Sequence, residues 1–202
     1  MSVRRDIEAF EVRANSYENG LRGRLHKRII ERSVDLVLST GHEPNKALDV
    51  GCGTGYFLRT LAIRCADAGE LVGVDPAAPM IDVATQLTSD PRLSYLARVG
   101  AEHLPFEDDA FDCVTAITSF DHWSDQRLGL TECARVLEPG GRLVLVDLIN
   151  MLLAPTLVTT HRGKARTRRR VQRLLGATGF DDLEWHGLYS TWIKAVVARR
   201  NG

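Results

Sequence analysis

The sequence predicts an α/β fold in which a mostly parallel sheet carries helices on both faces. Three observations lead there. Short apolar runs of strand length alternate along the chain with stretches whose apolar residues recur at helical spacing. One such run, Ala47-Leu48-Asp49-Val50, leads through Gly51-Cys52-Gly53-Thr54-Gly55 into Phe57, Leu58, Leu61 and Ala62, which reads as strand, tight turn, helix. A second, Leu71-Val72-Gly73-Val74, ends in Asp75-Pro76, and two strands flanking a helix at this spacing form a βαβ unit with parallel strands.

The 202 residues are 44% hydrophobic and 26% charged, enough for one domain with a full core. Basic and acidic residues number 26 each, so no global charge points to a polyanionic partner. The four cysteines, Cys52, Cys65, Cys113 and Cys133, are scattered with no C-x-x-C pair. That pattern suggests neither a zinc site nor a disulfide framework and fits a reducing, cytoplasmic setting. No metal-ligand cluster is evident. No apolar run approaches the roughly 18 residues needed to span a membrane, and the N-terminus lacks a signal-peptide core.

The elements follow in order. Residues 1–40 read as helices with basic faces, from Ile7, Phe10 and Ala14 and then Leu21, Leu25, Ile29, Ile30, Val34, Val37 and Leu38. Gly41-His42-Glu43-Pro44-Asn45 stops the helix. Strand one is about 46–50 and its helix about 55–66. Strand two is Leu71–Val74, and a helix from Ala77 to Leu87 follows. Strand three is Leu93–Val99, and strand four is Cys113–Ile117. A helix from Gln126 to Leu137 ends at the turn Glu138-Pro139-Gly140-Gly141, whose glycines bend the chain into strand five, Arg142–Leu148. Residues 150–160 are irregular. A basic helix then runs to about Ala177; seven of positions 162–173 are Lys or Arg. Gly179-Phe180 starts the next strand, Leu183–Trp185, and the last strand is about Ser190–Ala198.

The glycine turn offers free N–H groups at a helix N-terminus, which suits an anionic or polar ligand group. A dinucleotide fingerprint is G-x-G-x-x-G. Here the third glycine comes one residue early, with an acid two residues before the first. Asp49-Val-Gly-Cys-Gly-Thr-Gly55 resembles motif I of the class I S-adenosylmethionine-dependent methyltransferases. Two later segments resemble the same family. Gly100-Ala101-Glu102-His103-Leu104-Pro105-Phe106 with Phe111-Asp112 is similar to its "G-D-A-x-x-L-P-F-x-x-x-x-F-D" stretch, and Arg135-Val-Leu-Glu-Pro-Gly-Gly-Arg-Leu143 is similar to its "R-V-L-x-P-G-G-x-L". The order Phe10, Ala14, Tyr17 and a long helix resembles the N-terminal cap of the ubiquinone/menaquinone type.

The resemblance implies a Rossmann-like seven-stranded sheet closed by a C-terminal antiparallel hairpin. It divides the chain into a helical cap, 1–40, and a cofactor-binding core, 41–202, of the same domain. It implies S-adenosyl-L-methionine as cofactor, with S-adenosyl-L-homocysteine as product. The backbone of Gly51, Cys52, Gly53 and Gly55 would hold its methionine end, with Asp49 orienting that end. Asp75, which lies 22 residues after Gly53, would take the ribose hydroxyls, with Pro76 beside it. The alternative for Asp75 is a helix N-cap with Pro76 at the first helical position. Met80, Ala101 and Glu102 would surround adenine, although Met80 serves equally as core and Cys52 as a small filler. The family's aspartate before Ala101 is replaced here by Gly100, so the adenine amino contact would need Glu102 or water. A backbone carbonyl near Ala116 would accept from the cofactor's amino group. His122 would face the acceptor as a general base, or serve as a positioning residue, with Tyr17 as a lid or packing residue. The stretch Thr118 to Asp125, at the carboxyl end of strand four, would face the methyl group, and Ser119 and Trp123 would wall the substrate pocket.

These expectations converge on methyl transfer to a small-molecule acceptor by a monomer or homodimer. Three alternatives stand beside it. A nicotinamide-dependent oxidoreductase is disfavoured by the early third glycine. A protein that binds the cofactor without transferring methyl has Gly100 as its support. An RNA methyltransferase would use the basic helix for phosphate contacts, although no aromatic interleaving accompanies it.

Overall fold

The computed structural model describes residues 8, 11, 12, 14, 20–41, 43–149, 167–189 and 193–202. The first described helix, α1, spans Gly20–Ser39. It buries Ile29, Ile30, Val34 and Val37, one stripe at three- and four-residue spacing. Thr40 Oγ1 donates to the Val37 carbonyl near its end, and Gly41 turns the chain at φ +74°.

Seven strands form one sheet. In chain order they are β1 Lys46–Val50, β2 Glu70–Asp75, β3 Leu93–Ala97, β4 Phe111–Ile117, β5 Leu137–Leu148, β6 Phe180–Tyr189 and β7 Ile193–Arg200. Their spatial order is β3-β2-β1-β4-β5-β7-β6. The first five run parallel, and β7 pairs antiparallel with both β5 and β6. The expected mostly parallel sheet with a closing antiparallel hairpin is therefore present. Between the strands lie α2 Tyr56–Arg64, α3 Ala78–Gln86, α4 Gln126–Val136 and α5 Arg168–Ala177.

Strand alternation divides the core into two layers. On one face Ala47, Leu71, Cys113, Val144 and Val146 pack with Ile30, Val34 and Val37 of α1 and Phe57, Leu58 and Leu61 of α2. On the other, Leu48, Val72, Val114, Leu143 and Leu145 pack with Leu130 and Cys133 of α4 and Val171 and Leu175 of α5. Helices thus cover both faces, and the central strands are largely apolar on both sides, as expected of parallel strands between helices, with Asp49 and Thr115 the buried polar pair between β1 and β4.

The chain winds outward from β1 through β2 to β3, then returns to place β4 on the other flank of β1. That reversal opens a crevice beyond the carboxyl ends of β1 and β4, where ligands of open α/β sheets bind.

Some boundaries differ from expectation. Strand three stops at Ala97, because Arg98 takes φ +62°. Strand six starts at Phe180 as expected but runs on past Trp185, because its pairing with β7 continues from Phe180 opposite Arg200 to Tyr189 opposite Ile193. Strand five includes the expected turn: Leu137 already pairs with Phe111, and the register shifts before Arg142 meets Cys113. The expected residues of the basic segment before Thr167, the irregular stretch 150–160 and Ser190 lie outside the described residues. Among the described residues no helix is long and apolar enough to cross a membrane.

Candidate cofactor and acceptor cleft

The crevice at the strand reversal holds a cleft of about 1170 Å³, its open mouth included. Its floor is the glycine turn. Gly51, Gly53 and Gly55 all take positive φ, at +78°, +53° and +74°. The N–H groups of Gly51 and Cys52 both donate to the Val74 carbonyl, which ties the turn to β2. A Cβ on Gly51 would stand 2.4 Å from Ser119 Cβ, and one on Gly55 would stand 2.5 Å from Tyr95 Oη. A Cβ on Gly53 would meet nothing within 4 Å. Two glycines are therefore demanded by close packing of the β4 and β3 segments. The middle one, which borders the cleft, is demanded by its backbone alone.

Three acids stand along the cleft in the order of the strands that carry them. Asp49, on β1, is 2% exposed and accepts from Thr115 Oγ1 at 2.8 Å. Burial raises its pKa to about 7; the Thr115 hydroxyl opposes that rise and the charge of Asp75 adds to it. Asp75, at the end of β2, accepts from the Gly53 N–H at 2.9 Å through one oxygen and from the Ala77 N–H at 2.8 Å through the other. Burial raises its carboxyl, while those two donors and the charge of His122 pull it down. Helix α3 caps at Ala77, with a proline (Pro79) in its first turn. Asp75 is thus not the N-cap and Pro76 is not the first helical residue; the Asp75 carboxylate joins the glycine turn to the β2–α3 turn instead.

Glu102, in the loop after β3, accepts from Ser124 Oγ at 2.6 Å and from the Asp125 N–H at 3.0 Å, both through Oε1. Burial pushes its carboxyl up, but these donors prevail and hold it below its ordinary range. Its Oε2 lies 2.8 Å from where a Cβ on Gly100 would stand. The missing side chain at position 100 therefore has a physical counterpart: the Glu102 carboxylate occupies that space.

The far wall follows β4. Ser119 Oγ donates to the Val50 carbonyl at 2.6 Å, and a 3-10 turn, Phe120–His122, is held by Asp147, whose carboxylate accepts the Asp121 N–H. Phe120 and Trp123 meet edge to face at 5.1 Å, and Trp123 is 6% exposed. The near wall comes from α1, which contributes His26 and Ile30, and from Tyr56 and Phe57 at the start of α2.

Of the residues expected at the site, Asp49, Gly51, Cys52, Gly53, Asp75, Pro76, Met80, Ala101, Glu102, Ser119, His122 and Trp123 all line this cleft. Gly55 and Ala116 do not. Gly55 is turned to Tyr95, and Ala116 is fully buried one residue short of the strand end, so Ile117 and Thr118 form the wall in its place. Tyr17 lies outside the described residues. Cys52 is buried, and its thiol is pushed well above the ordinary range by burial and by the charges of Asp75 and Asp49, so it is a filler without nucleophilic character. His26 and Ile30 were not expected. Nothing local marks them, because α1 reaches the cleft only through the packing of the whole sheet. Thr118, which opens the stretch after β4 expected to face the methyl group, does line the cleft. Helix α5, with Arg168 stacked over Trp185 at 5.1 Å, packs against β6 and α4, and none of its residues lines the cleft.

Known proteins match this architecture. Residues 48–145 match the family described as a methyltransferase domain. The demethylmenaquinone methyltransferase of Deinococcus radiodurans is 42% identical over 107 residues, which are 52% of this chain and 44% of that protein. That of Thermotoga maritima is 38% identical over 120 residues, 59% of this chain and 49% of that protein. The chain spans about half the length of these curated relatives. In fold, a Haloferax volcanii methyltransferase solved in complex with the Trm112 methyltransferase activator superposes with a TM-score of 0.82 at 19% identity, covering 96% of this chain and 98% of that one.

Proposed function

We propose that this chain carries a class I S-adenosylmethionine-dependent methyltransferase domain of the ubiquinone/menaquinone type and that it transfers the methyl group of S-adenosyl-L-methionine to a small-molecule acceptor. The observation that carries the reading is the spacing of polar groups along the cleft. A glycine turn with a buried acid, a carboxylate fixed by two backbone donors, and a second anchored carboxylate beside Met80 and Ala101 follow one another across β1, β2 and β3. An amino-acid head, a ribose diol and a purine need such groups in that order. The cradle fits: Gly53, the glycine of this turn that faces open space, leaves its backbone accessible, and Asp75 keeps further lone pairs beyond the two already used.

When bound, S-adenosyl-L-methionine supplies a methyl group on a positively charged sulfur. The chain's own residues then have three tasks. Asp49 and the turn backbone hold the charged amino-acid end. Asp75 and Glu102 fix the diol and the base, so that the donor's methyl faces the end of β4. Fixing two reactants in this way removes roughly 7–11 kcal/mol of barrier. The apolar side chains of Ile30, Phe57, Ile117 and Trp123 exclude water from the reacting end. We assign residues 1–40 to a cap over this end, and the buried contacts of α1 with α2 support that role. Four buried cysteines, none in a disulfide, support a cytoplasmic setting. The names of the relatives support a quinone-like or phenolic acceptor.

Calorimetric titration with S-adenosyl-L-methionine and S-adenosyl-L-homocysteine tests the reading. One-to-one binding is expected, with loss of about tenfold to a hundredfold in Asp75→Ala. A folded wild-type protein that binds neither compound would overturn it. Binding without turnover on any acceptor would leave a cofactor-binding protein.

A further inference from the structure

A polar pair at the carboxyl end of β4 has no part in holding the methyl donor as assigned above. His26 Nε2, on α1, lies 3.0 Å from Thr118 Oγ1, across 92 residues of sequence. Both residues line the cleft. Thr118 takes φ +55°. That left-handed conformation crowds a β-branched side chain, and such strain persists only where the surroundings impose it. Here the Thr118 N–H is fixed to the Val146 carbonyl at 2.7 Å, so β5 imposes the conformation. Glycine would adopt it without strain; threonine adds a hydroxyl aimed at His26.

The two histidines of the cleft serve different ends. His122 lines the cleft beside Trp123 and near Asp75, on the side to which the donor's ribose is assigned above. His26 stands across the cleft on α1, with Thr118 and the apolar side chains of Ile30, Phe57 and Ile117 near it. A ligand part that fits there is apolar and carries one hydrogen-bonding group.

We propose that Thr118 and His26 form the part of the acceptor subsite that takes the ionisable hydroxyl of the phenolic acceptor read above from the relatives' names. This rests on the methyl-transfer reading. The acceptor hydroxyl donates to Thr118 Oγ1. When the acceptor ionises, its proton passes to that oxygen while the threonine proton passes to His26 Nε2. The acceptor keeps the oxygen's electron pair, and the imidazolium returns its proton to water. Thr118 touches the acceptor; His26 acts through it as a positioning residue. His122 then belongs to the donor end and is not the general base.

The test uses the whole chain saturated with S-adenosyl-L-homocysteine, with 2-naphthol and 2-methoxynaphthalene as probes, read by their fluorescence. The wild type is expected to bind 2-naphthol at least tenfold more tightly than its methyl ether, because only the former donates a hydrogen bond. That preference is expected to vanish in Thr118→Val, to return in Thr118→Ser, and to fall in His26→Gln. Affinity for S-adenosyl-L-homocysteine should stay within about twofold in all three variants, whereas His122→Ala should weaken it. Equal binding of both probes, binding of neither, or a preference that survives Thr118→Val would overturn the subsite. Failure of the wild type to bind S-adenosyl-L-homocysteine would instead overturn the methyl-transfer reading.

Discussion

Asp49→Asn isolates the cost of carrying a carboxyl at the buried end of β1. Asparagine keeps the shape and can still accept from Thr115, so what changes is the ionisable group. Burial raises the folded-state pKa of Asp49 from 3.8 to about 7. The folded protein thus holds a proton that the unfolded chain has already released. For a carboxyl raised in this direction, the stabilising contribution is full below about pH 4 and is lost as the pH rises through about 7. Each tenfold change in proton affinity is worth about 1.4 kcal/mol, so roughly 4 kcal/mol is at stake over the full range, and about 2–3 kcal/mol of it between pH 5 and pH 8. In a chain of this size that corresponds to about 5–10 °C in melting temperature.

The assay is thermal unfolding of the protein without cofactor, followed by circular dichroism at pH 5, 6.5 and 8. The variant should gain on the wild type as the pH rises, by about 2–3 kcal/mol over the range. The same residue gives a second, independent readout. A positively charged ligand beside Asp49 favours its carboxylate, so S-adenosyl-L-methionine should expel a proton on binding near pH 6. Calorimetry in two buffers of different ionisation enthalpy measures that release, and Asp49→Asn should abolish it while weakening binding about tenfold or more. Parallel melting curves at all three pH values, with no proton released by the wild type, would refute the reasoning.

Three further outcomes are expected. Gly51→Ala must displace Ser119 and should cost about 2–4 kcal/mol and most of the cofactor affinity, whereas Gly53→Ala meets no atom and should cost only the backbone strain, about 1–2 kcal/mol; equal losses in chemical denaturation would contradict the packing account. Glu102→Gln should weaken S-adenosyl-L-methionine binding about three- to tenfold in calorimetry while leaving the melting temperature nearly unchanged, because the anchoring bonds from Ser124 and Asp125 can persist. Arg135→Ala removes donors to the Leu104 and Phe106 carbonyls and to Glu132 and Asp108, and should raise amide exchange across residues 101–108 ahead of the rest of the chain; uniform exchange would show that the loop does not depend on it.

Much of the fold was legible because its signals are local. The run Ala47–Val50, the glycine turn and Phe57–Ala62 sit within one βα unit, and periodicity alone separates strand from helix there. The positive φ at Gly51 was legible too, but its cause was not: only the tertiary fold brings Ser119 to within 2.4 Å of the missing Cβ. The same holds for the acids. Asp75 stood out by its distance from the glycines, yet local rules also allowed it to cap a helix, and the choice fell to the Gly53 N–H that reaches it from the turn after β1. Boundaries failed where pairing overrode local preference, as at Leu137, which was expected to end a helix but pairs with Phe111 on another strand.

The cleft therefore has one end written in short motifs and another written in long-range packing. The donor end is built from consecutive turns after β1, β2 and β3, each with its own glycine or acid. The end near β4 is closed by α1, and His26 reaches Thr118 only because Ile30, Val34 and Val37 seat that helix on α2 and the sheet. No spacing rule links positions 26 and 118. This explains why sequence reading pointed to His122, which sits in a strand-end segment beside the glycine turn, and overlooked His26. It also separates what can vary. A substitution on the buried face of α1 would shift His26 without touching Asp49, Asp75 or Glu102. Ile30→Ala should accordingly lower discrimination between 2-naphthol and its methyl ether while cofactor affinity holds.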